Sequence, residues 1–233
     1  ASTHHSGLVV GEVTNINDPN KAGRAKVRYP GLDQSTESNW ARILVPGGGN
    51  SRGSVSIPEV GDEVLIGFEH GDPRQPVVMG GLFGSKNQIP LWTVKDGKVA
   101  ARRTTSRLGH VFEMSDGESN AEQYVLVQLA GGDNLLKITK ADTTLQVPSG
   151  NPVTIKSGST EISMSKQGDI TLKAPNITIS ADQSVKISGM QINVSANSEL
   201  QMQGQSQASL KGAMLQLQGE ATAALKGGIV QIN

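Results

Sequence analysis

Residues 159–195 read STEISMSKQGDITLKAPNITISADQSVKISGMQINVS. Apolar residues occur in this stretch as doublets two positions apart: Ile162/Met164, Ile170/Leu172, Ile177/Ile179, Val185/Ile187 and Ile192/Val194. The series runs on through Leu200/Met202, Ala208/Leu210, Leu215/Leu217, Ala223/Leu225 and Val230/Ile232, in steps of 8, 7, 8, 7, 8, 8, 7, 8 and 7 residues. Looser doublets at Leu136/Ile138, Leu145/Val147 and Val153/Ile155 extend it backwards, and Ala208 and Ala223 are its weak members. Most of what lies between is Ser, Thr, Gln, Asn, Lys, Asp or Gly.

A repeat of seven to eight residues invites a coiled-coil reading. Heptads, however, place apolar residues three and four apart so that they share one helical face. Here they are two apart, around Ser163, Thr171, Thr178, Lys186, Asn193, Gln201, Ser209, Gln216 and Gln231, and two is the strand period. Gly168, Gly189, Gly204, Gly212, Gly219, Gly227 and Pro175 would also interrupt a continuous helix. Each unit is thus a strand of about four residues with one apolar face, followed by a turn.

So short a strand cannot shelter its own apolar face, and a turn every seven or eight residues leaves one chain too little length to enclose a core. Three chains wound about one axis, each giving one strand to every triangular layer, can close it. The expected fold is therefore an intertwined, triple-stranded β-helix (a β-prism) formed by a homotrimer. Its expected core is Ile162, Met164, Ile170, Leu172, Ile177, Ile179, Val185, Ile187, Ile192, Val194, Leu200, Met202, Leu210, Leu215, Leu217 and Leu225. A narrow interior of this kind accepts such side chains and no rings, and no aromatic residue follows Tyr124.

The first half is written differently. All seven aromatic residues lie between Tyr29 and Tyr124, and every arginine precedes Leu108. From Leu8 to Leu82, Gly and Pro punctuate five strand-like runs: Leu8–Asn15, Arg24–Val27, Trp40–Val45, Glu63–Phe68 and Pro76–Met79. Five short strands in such a length suit an OB-fold-like barrel. Two more, in TTSRLGHVFEMSD and EQYVLVQLA, follow between Arg102 and Gln128. The expected division is an all-β chain with a barrel over 1–90, transition strands over 91–130 and a needle over 131–233.

Composition narrows the function. Lys+Arg and Asp+Glu both total 21 in 233 residues, which gives no support for a polyanion as main partner. There is no cysteine, hence no disulfide framework and no thiolate metal site. No apolar run approaches the roughly 18 residues of a membrane-spanning helix.

PEVGDEVLIGFEHGDPRQPVVMGGLF, residues 58–83, resembles the barrel domain of the VgrG and phage-baseplate spike family. GLVVGEVTNINDPNKAGRAKVRYPGL, residues 7–32, is similar to its opening hairpin, and TSRLGHVFEMSDGE, residues 105–118, to the passage into the needle. The resemblance implies the central trimeric spike of a contractile injection machine: a phage tail, a type VI secretion system or a phage-tail-like particle. It implies a needle driven through the target envelope by sheath contraction, with a conical PAAR-repeat protein at its tip and possible effector cargo. It also implies assembly in the bacterial cytoplasm and a place at the baseplate or tip. Larger members carry a hub region before the barrel. This sequence begins at the barrel, so the hub is expected as a separate chain or a removed region at the N-terminal end.

The candidate chemistry is sparse, and the expectation is a protein that is not an enzyme, with no cofactor and no metal. The histidines are His4, His5, His70 and His110. His4 and His5 read as a terminus, His70 as a hairpin end, and no His follows position 110 to hold an ion on the needle axis. The pairs Asp62/Glu63 and Glu69/Asp72 flank turns and read as structural carboxylates rather than a glycosidase pair. The glycine cluster VPGGGNSRGS, residues 45–54, lacks the Lys-Ser/Thr ending and following helix of a phosphate loop. Tyr29 and Trp40 near Arg24, Lys26, Arg28 and Arg42 form a weak nucleic-acid signature that leaves the repeat unexplained. Charges falling between the doublets read as a solvated face that blocks side-by-side strand pairing.

The last turn breaks the polar rule, because Ile229 precedes the Val230/Ile232 doublet. An open apolar threefold end implies a partner, so Gly227, Gly228, Ile229, Val230, Gln231, Ile232 and Asn233 are the expected seat of the tip protein. The expected function is mechanical: a stiff needle that pierces an envelope and makes transient contact with the target membrane. A trimeric adhesion fibre and a nucleic-acid-binding OB module are the alternatives. A polysaccharide-acting β-helix enzyme would need carboxylates or arginines clustered in the repeat, and no arginine lies there.

Overall fold

Alternation in VVGEVTN makes the first strand, β1 (Val9–Asn15): Gly11 and Val13 point inward and are buried, while Val10 stays half exposed on the other side. The computed structural model of the chain describes residues 7–31 and 33–231. After β1 come β2 (Lys26–Tyr29), β3 (Asp33–Glu37), β4 (Arg42–Ile43), β5 (Glu63–Phe68) and β6 (Pro76–Gly81), in the spatial order β3-β2-β1-β5-β6-β4. Neighbours are antiparallel except for the parallel pair β4–β6. Ala25 and Ala41 exchange both backbone hydrogen bonds, at 3.0 and 2.7 Å, which ties the start of β2 to the residue before β4 and closes the sheet into a barrel.

The barrel core is built of small side chains. Val13, Ala25, Val27, Ala41, Val64, Ile66 and Val78 are buried, with Val9, Ile16, Tyr29, Ile43 and Phe68 packed at the margin. Irregular registers between Val13 and Asn15 and between Leu65 and Ile66 give the bends that closure needs. Gly11 allows a close approach in the core, because a Cβ there would stand 3.0 Å from Ile66 Cγ1. The hairpin after β1 is held by Asp18, whose carboxylate accepts from the backbone N–H groups of Asn20, Ala22 and Arg24 and from the Arg24 guanidinium. These donors hold the Asp18 pKa far below the usual carboxylate range, the guanidinium contributing most.

Beyond the barrel a two-stranded hairpin, β7 (Val94–Lys95) with β8 (Lys98–Val99), turns at Asp96-Gly97. An antiparallel sheet follows, of β9 (Ala101–Thr105), β10 (Val111–Asp116), β11 (Gln123–Gln128), β12 (Leu135–Thr139) and β13 (Thr143–Gln146), in the order β13-β12-β11-β10-β9. A third sheet is the meander β14 (Val153–Ser157), β15 (Thr160–Met164) and β16 (Ile170–Lys173).

The chain divides into two compact units, Ala1–Pro175 and Asn176–Asn233. The second unit contains no hydrogen-bonded strand among its described residues. It bends instead at regular intervals: at 182–183, 190, 197–198, 205–206, 213–214, 220–221 and 228–229. Every bend falls between two doublets. The turns are tight at their glycines, where a Cβ on Gly204 would lie 2.3 Å from the Gln207 carbonyl oxygen and one on Gly219 2.5 Å from that of Thr222.

Each of the five barrel strands expected from sequence has a counterpart. The third shrinks to Arg42–Ile43, and β6 runs two residues further than expected. β3, DQSTE, offers no apolar alternation, and the β7–β8 hairpin has only two residues in each arm. Both lay below what periodicity can reveal. The fold is all-β: the only helical element among the described residues is the 3-10 turn Glu69–Gly71.

Candidate functional site

The sheet β9–β13 presents two chemically different faces. In antiparallel pairing, residues directly opposite share a face. Phe112, Val127, Leu136 and Leu145 thus form one row across β10–β13, and Met114, Val125 and Ile138 form a second beside it. These seven side chains are 38–59% exposed. A contiguous apolar surface of this kind marks a contact surface.

The opposite face carries a buried charge. Glu113, 2% exposed, lies across from Arg103 in the β9–β10 register. It accepts from the Arg103 guanidinium and, at 2.7 Å, from the Tyr124 hydroxyl. Lys137 Nζ stands 4.5 Å from the centre of the Tyr124 ring. Burial pushes the Glu113 pKa up, but the Tyr124 and Arg103 hydrogen bonds outweigh it and leave the pKa below the ordinary carboxylate value. Tyr124 moves the other way: the neighbouring carboxylate, then burial, raises its phenol. Val111, Leu126 and Ala101 fill the same face. Nothing in the residue pattern signals this network beyond an ordinary Arg102-Arg103 and Phe112-Glu113-Met114.

In the meander the doublets meet one another. Ile155 faces Ile162, which faces Leu172, while Val153 faces Met164, which faces Ile170. The reverse face carries Thr154, Ser163 and Thr171 in one row and Lys156, Glu161 and Lys173 in another. The expected core residues Ile162, Met164, Ile170 and Leu172 thus share one face, exposed in the single chain. From Ile177 onward the expected core residues have no cross-strand partner among the described residues. Ile177, Ile179, Val185, Ile187, Ile192, Val194, Leu200, Met202, Leu210, Leu215, Leu217 and Leu225 are all more than half exposed.

At the far end Ile229 is 90% exposed and Val230 about half, with Gly227, Gly228 and Gln231 open to solvent. Ile232 and Asn233, the remaining expected tip residues, lie outside the described residues, as do His4 and His5.

The weaker barrel candidates take structural roles. Glu69 holds Arg42, and Asp72 holds Arg74 through its Nε and terminal nitrogen, so that carboxylate pair is engaged with arginines. Asp62 accepts from the backbone N–H of Glu59 and fixes the turn into β5. In the glycine cluster, Gly49 and Arg52 direct their backbone N–H groups to each other's carbonyls, and Ser54 donates to the Pro46 carbonyl. Three of the loop's backbone N–H groups are thus turned to its own carbonyls. His110 Nδ1 accepts from the backbone N–H of Ala130, and His70 sits in the β5–β6 connection at φ 53°. Trp40 faces its own chain's cations, with Arg24 at 5.9 Å and Lys26 at 5.5 Å, while Tyr29 packs edge-tilted on Phe68 at 5.8 Å. Neither ring is a free platform for a base. Trp92, which sequence reading passed over, is 72% exposed just before β7.

Comparison with known proteins matches the barrel directly. Residues 9–83 fit the model of the type VI secretion system/phage-baseplate injector OB domain. The type VI secretion system spike protein VgrG5 of Pseudomonas aeruginosa is 44% identical over 72 residues, covering 29% of this chain and 9% of that protein. The spike protein VgrG3 of Vibrio cholerae is 32% identical over 123 residues, 49% of this chain and 12% of the relative. The actin cross-linking toxin VgrG1 of Vibrio cholerae is 30% identical over 123 residues, 49% of this chain and 11% of the relative. The matched region thus spans only about a tenth of these much longer relatives.

Proposed function

We propose, on the premise that the chain belongs through its injector OB domain to the VgrG and phage-baseplate spike family, that it forms the central needle of a contractile injection machine. The observation that carries the reading is the state of the repeat. Through ten doublets the chain keeps an apolar face, and beyond Lys173 the described residues form no hydrogen-bonded strand and leave that face about half exposed or more. Apolar strands with unpaired backbone require further strands on both counts. Three copies about one axis supply them, with the exposed face of β9–β13 and that of β14–β16 turned toward the same axis.

The needle then has two constructions. Over 101–173 each chain lays down its own antiparallel sheets, each with one exposed apolar face. Over 176–231 the strands pair between chains, and every layer is held by three copies. Continuous hydrogen bonding and a filled core make such a rod stiff in compression. Its polar outer rows, Thr154/Ser163/Thr171 and Lys156/Glu161/Lys173 among them, keep it from adhering to what it crosses. The barrel fixes the three chains to a baseplate hub. Gly227–Asn233 of three chains seat a PAAR-type tip protein, which an exposed Ile229 favours over a bare polar end.

Solution mass tests the assembly. A species of three times 24.4 kDa that survives detergent without boiling is the expected result, and a monomer at all concentrations would refute it. For the tip, removing residues 227–233 should abolish co-purification of the tip protein and leave the trimer intact. Unchanged co-purification would refute that seat.

A further inference from the structure

Charge in the second unit is confined almost wholly to its turns, and the order of signs carries information. The turn over 180–184 holds Asp182, that over 188–191 no charge, that over 195–199 Glu199, and that over 203–207 none. The last three, over 211–214, 218–222 and 226–229, hold Lys211, Glu220 and Lys226. Bends at 213–214, 220–221 and 228–229 put each of these three charges at or beside a corner of the chain path. None of them forms an ion pair or a side-chain hydrogen bond within the described chain, although Glu199, by contrast, accepts from Gln201.

Symmetry decides which turns meet. This step rests on the threefold reading given above. Around a threefold axis, one turn of the first chain sits at one corner, and the same turn of the other two chains sits at the other corners at equal height. Each chain moves on by one corner and one layer per strand. The turn that lands above the first chain's turn is therefore the next turn of a different chain. Consecutive turns in sequence become vertical neighbours between chains, separated by the hydrogen-bonded strand spacing of about 4.8 Å. A single chain coiling on itself with three strands per coil would instead stack every third turn. That would set Glu199 over Glu220, a like-charge pair.

We infer that Lys211, Glu220 and Lys226 of three different copies form an ion-paired column at each corner of the needle near its distal end, and that this column fixes the register in which the copies interleave. Under the interleaved arrangement the sequence places Lys over Glu over Lys, and no two like charges are neighbours anywhere in the second unit. A slip by one turn puts Lys211 beside Lys226. A layer spacing of about 4.8 Å lies within reach of a lysine and a glutamate side chain, and opposed charges on neighbouring strands support a register while like charges oppose it.

Zero-length carbodiimide coupling joins a lysine amine to a carboxylate only when the two are in contact, and arginine does not react. Full-length Glu220→Gln chains are co-expressed with full-length Lys211→Arg/Lys226→Arg chains under separate tags, and mixed assemblies are isolated. Any bond from Glu220 to Lys211 or Lys226 must then cross between copies. Peptide mass spectrometry should find that bond, and it should drop to background when both chains carry Glu220→Gln. A trimer by mass in which Glu220 couples to no lysine, or in wild-type protein only to lysines of its own chain, overturns the column and leaves the trimeric needle standing. A monomer by mass removes both. A second readout uses Glu220→Lys, which makes each column uniformly positive. Its heat dissociation should rise with added salt while that of wild type falls, and parallel salt responses would overturn the proposal.

Discussion

Replacing Phe112 with Thr probes the surface on which the proposed assembly depends. The ring is 48% exposed in the single chain and begins the row Phe112, Val127, Leu136, Leu145. A fully covered phenylalanine buries about 150–250 Å², so covering the open half removes about 100 Å² from water. At ~25 cal/mol per Å² this is about 2.5 kcal/mol for each chain. Threonine keeps strand propensity and one methyl group, so the loss is about 2 kcal/mol per chain and about 6 kcal/mol per trimer. At about 1.4 kcal/mol per decade, the trimer's dissociation constant should rise roughly 10⁴-fold. Sedimentation across a dilution series reads this directly, and circular dichroism checks that the strands persist. Because part of the ring also packs within its own sheet, the isosteric Val127→Thr serves as a companion. It leaves the sheet's shape unchanged and should weaken association by a smaller factor. Wild-type mass and dissociation for both variants at every dilution would show that this face does not meet another copy.

Three further outcomes follow from the geometry. Ile66→Ala opens a cavity in a barrel core whose members are almost fully buried, and should lower barrel stability by about 2–5 kcal/mol in denaturant melts; the second unit's assembly should be unaffected. Glu113→Gln removes the charge that Arg103 and Tyr124 serve, at a cost of about 1.5–3 kcal/mol at neutral pH. Because the folded Glu113 pKa is depressed, its contribution is present above the unfolded carboxylate pKa and disappears as pH falls through the folded value. The wild-type melting temperature of this sheet should thus drop on acidification below about pH 4.5, and the Gln variant should show a flatter profile. Gly219→Ala pushes a methyl group to 2.5 Å from the Thr222 carbonyl oxygen, whereas Gly228→Ala meets nothing within 4 Å. Only the former should lower the heat dissociation of the assembly, by about 1–3 kcal/mol per chain, and equal effects would contradict the turn geometry.

The barrel was legible because its strands announce themselves by alternation and its turns by Gly and Pro. VVGEVTN and EVLIGF have one buried face each, and periodicity finds such faces. DQSTE pairs with β2 without any apolar residue, so its place in the sheet comes from the neighbour and the turn rather than from its own composition. The Glu113 network was hidden for a related reason. Glu113 sits between Phe112 and Met114 on a strand where these two apolar neighbours face outward, so alternation seen alone puts the charge on the wet side. Only the pairing with Arg103 and Tyr124 reveals that the polar row is the one enclosed by the chain and the apolar row the one left open.

The change of construction after Lys173 is the subtler case. Doublets step by 8, 7 and 8 residues from Ile162 to Val185 with no break, because an in-chain meander and the inter-chain layer proposed above both need a short strand with one apolar face. What differs is the turn. Gly158 and Gly168 lie at φ 56° and 92°, the left-handed conformation, and the strands they join run antiparallel. Gly189, Gly204, Gly212, Gly219 and Gly227 are not in that region, and the chain there bends without pairing back on itself. Where those glycines matter, it is for room beside a carbonyl oxygen, and the second turn position is Ala at 181 and 196 in otherwise similar turns. Glycine serves a reversal and a bend equally well, so the letter is the same for both. The sign of φ separates a turn that returns the strand to its own sheet from a bend that does not, and that sign is a property of the folded backbone which no spacing of residue types encodes.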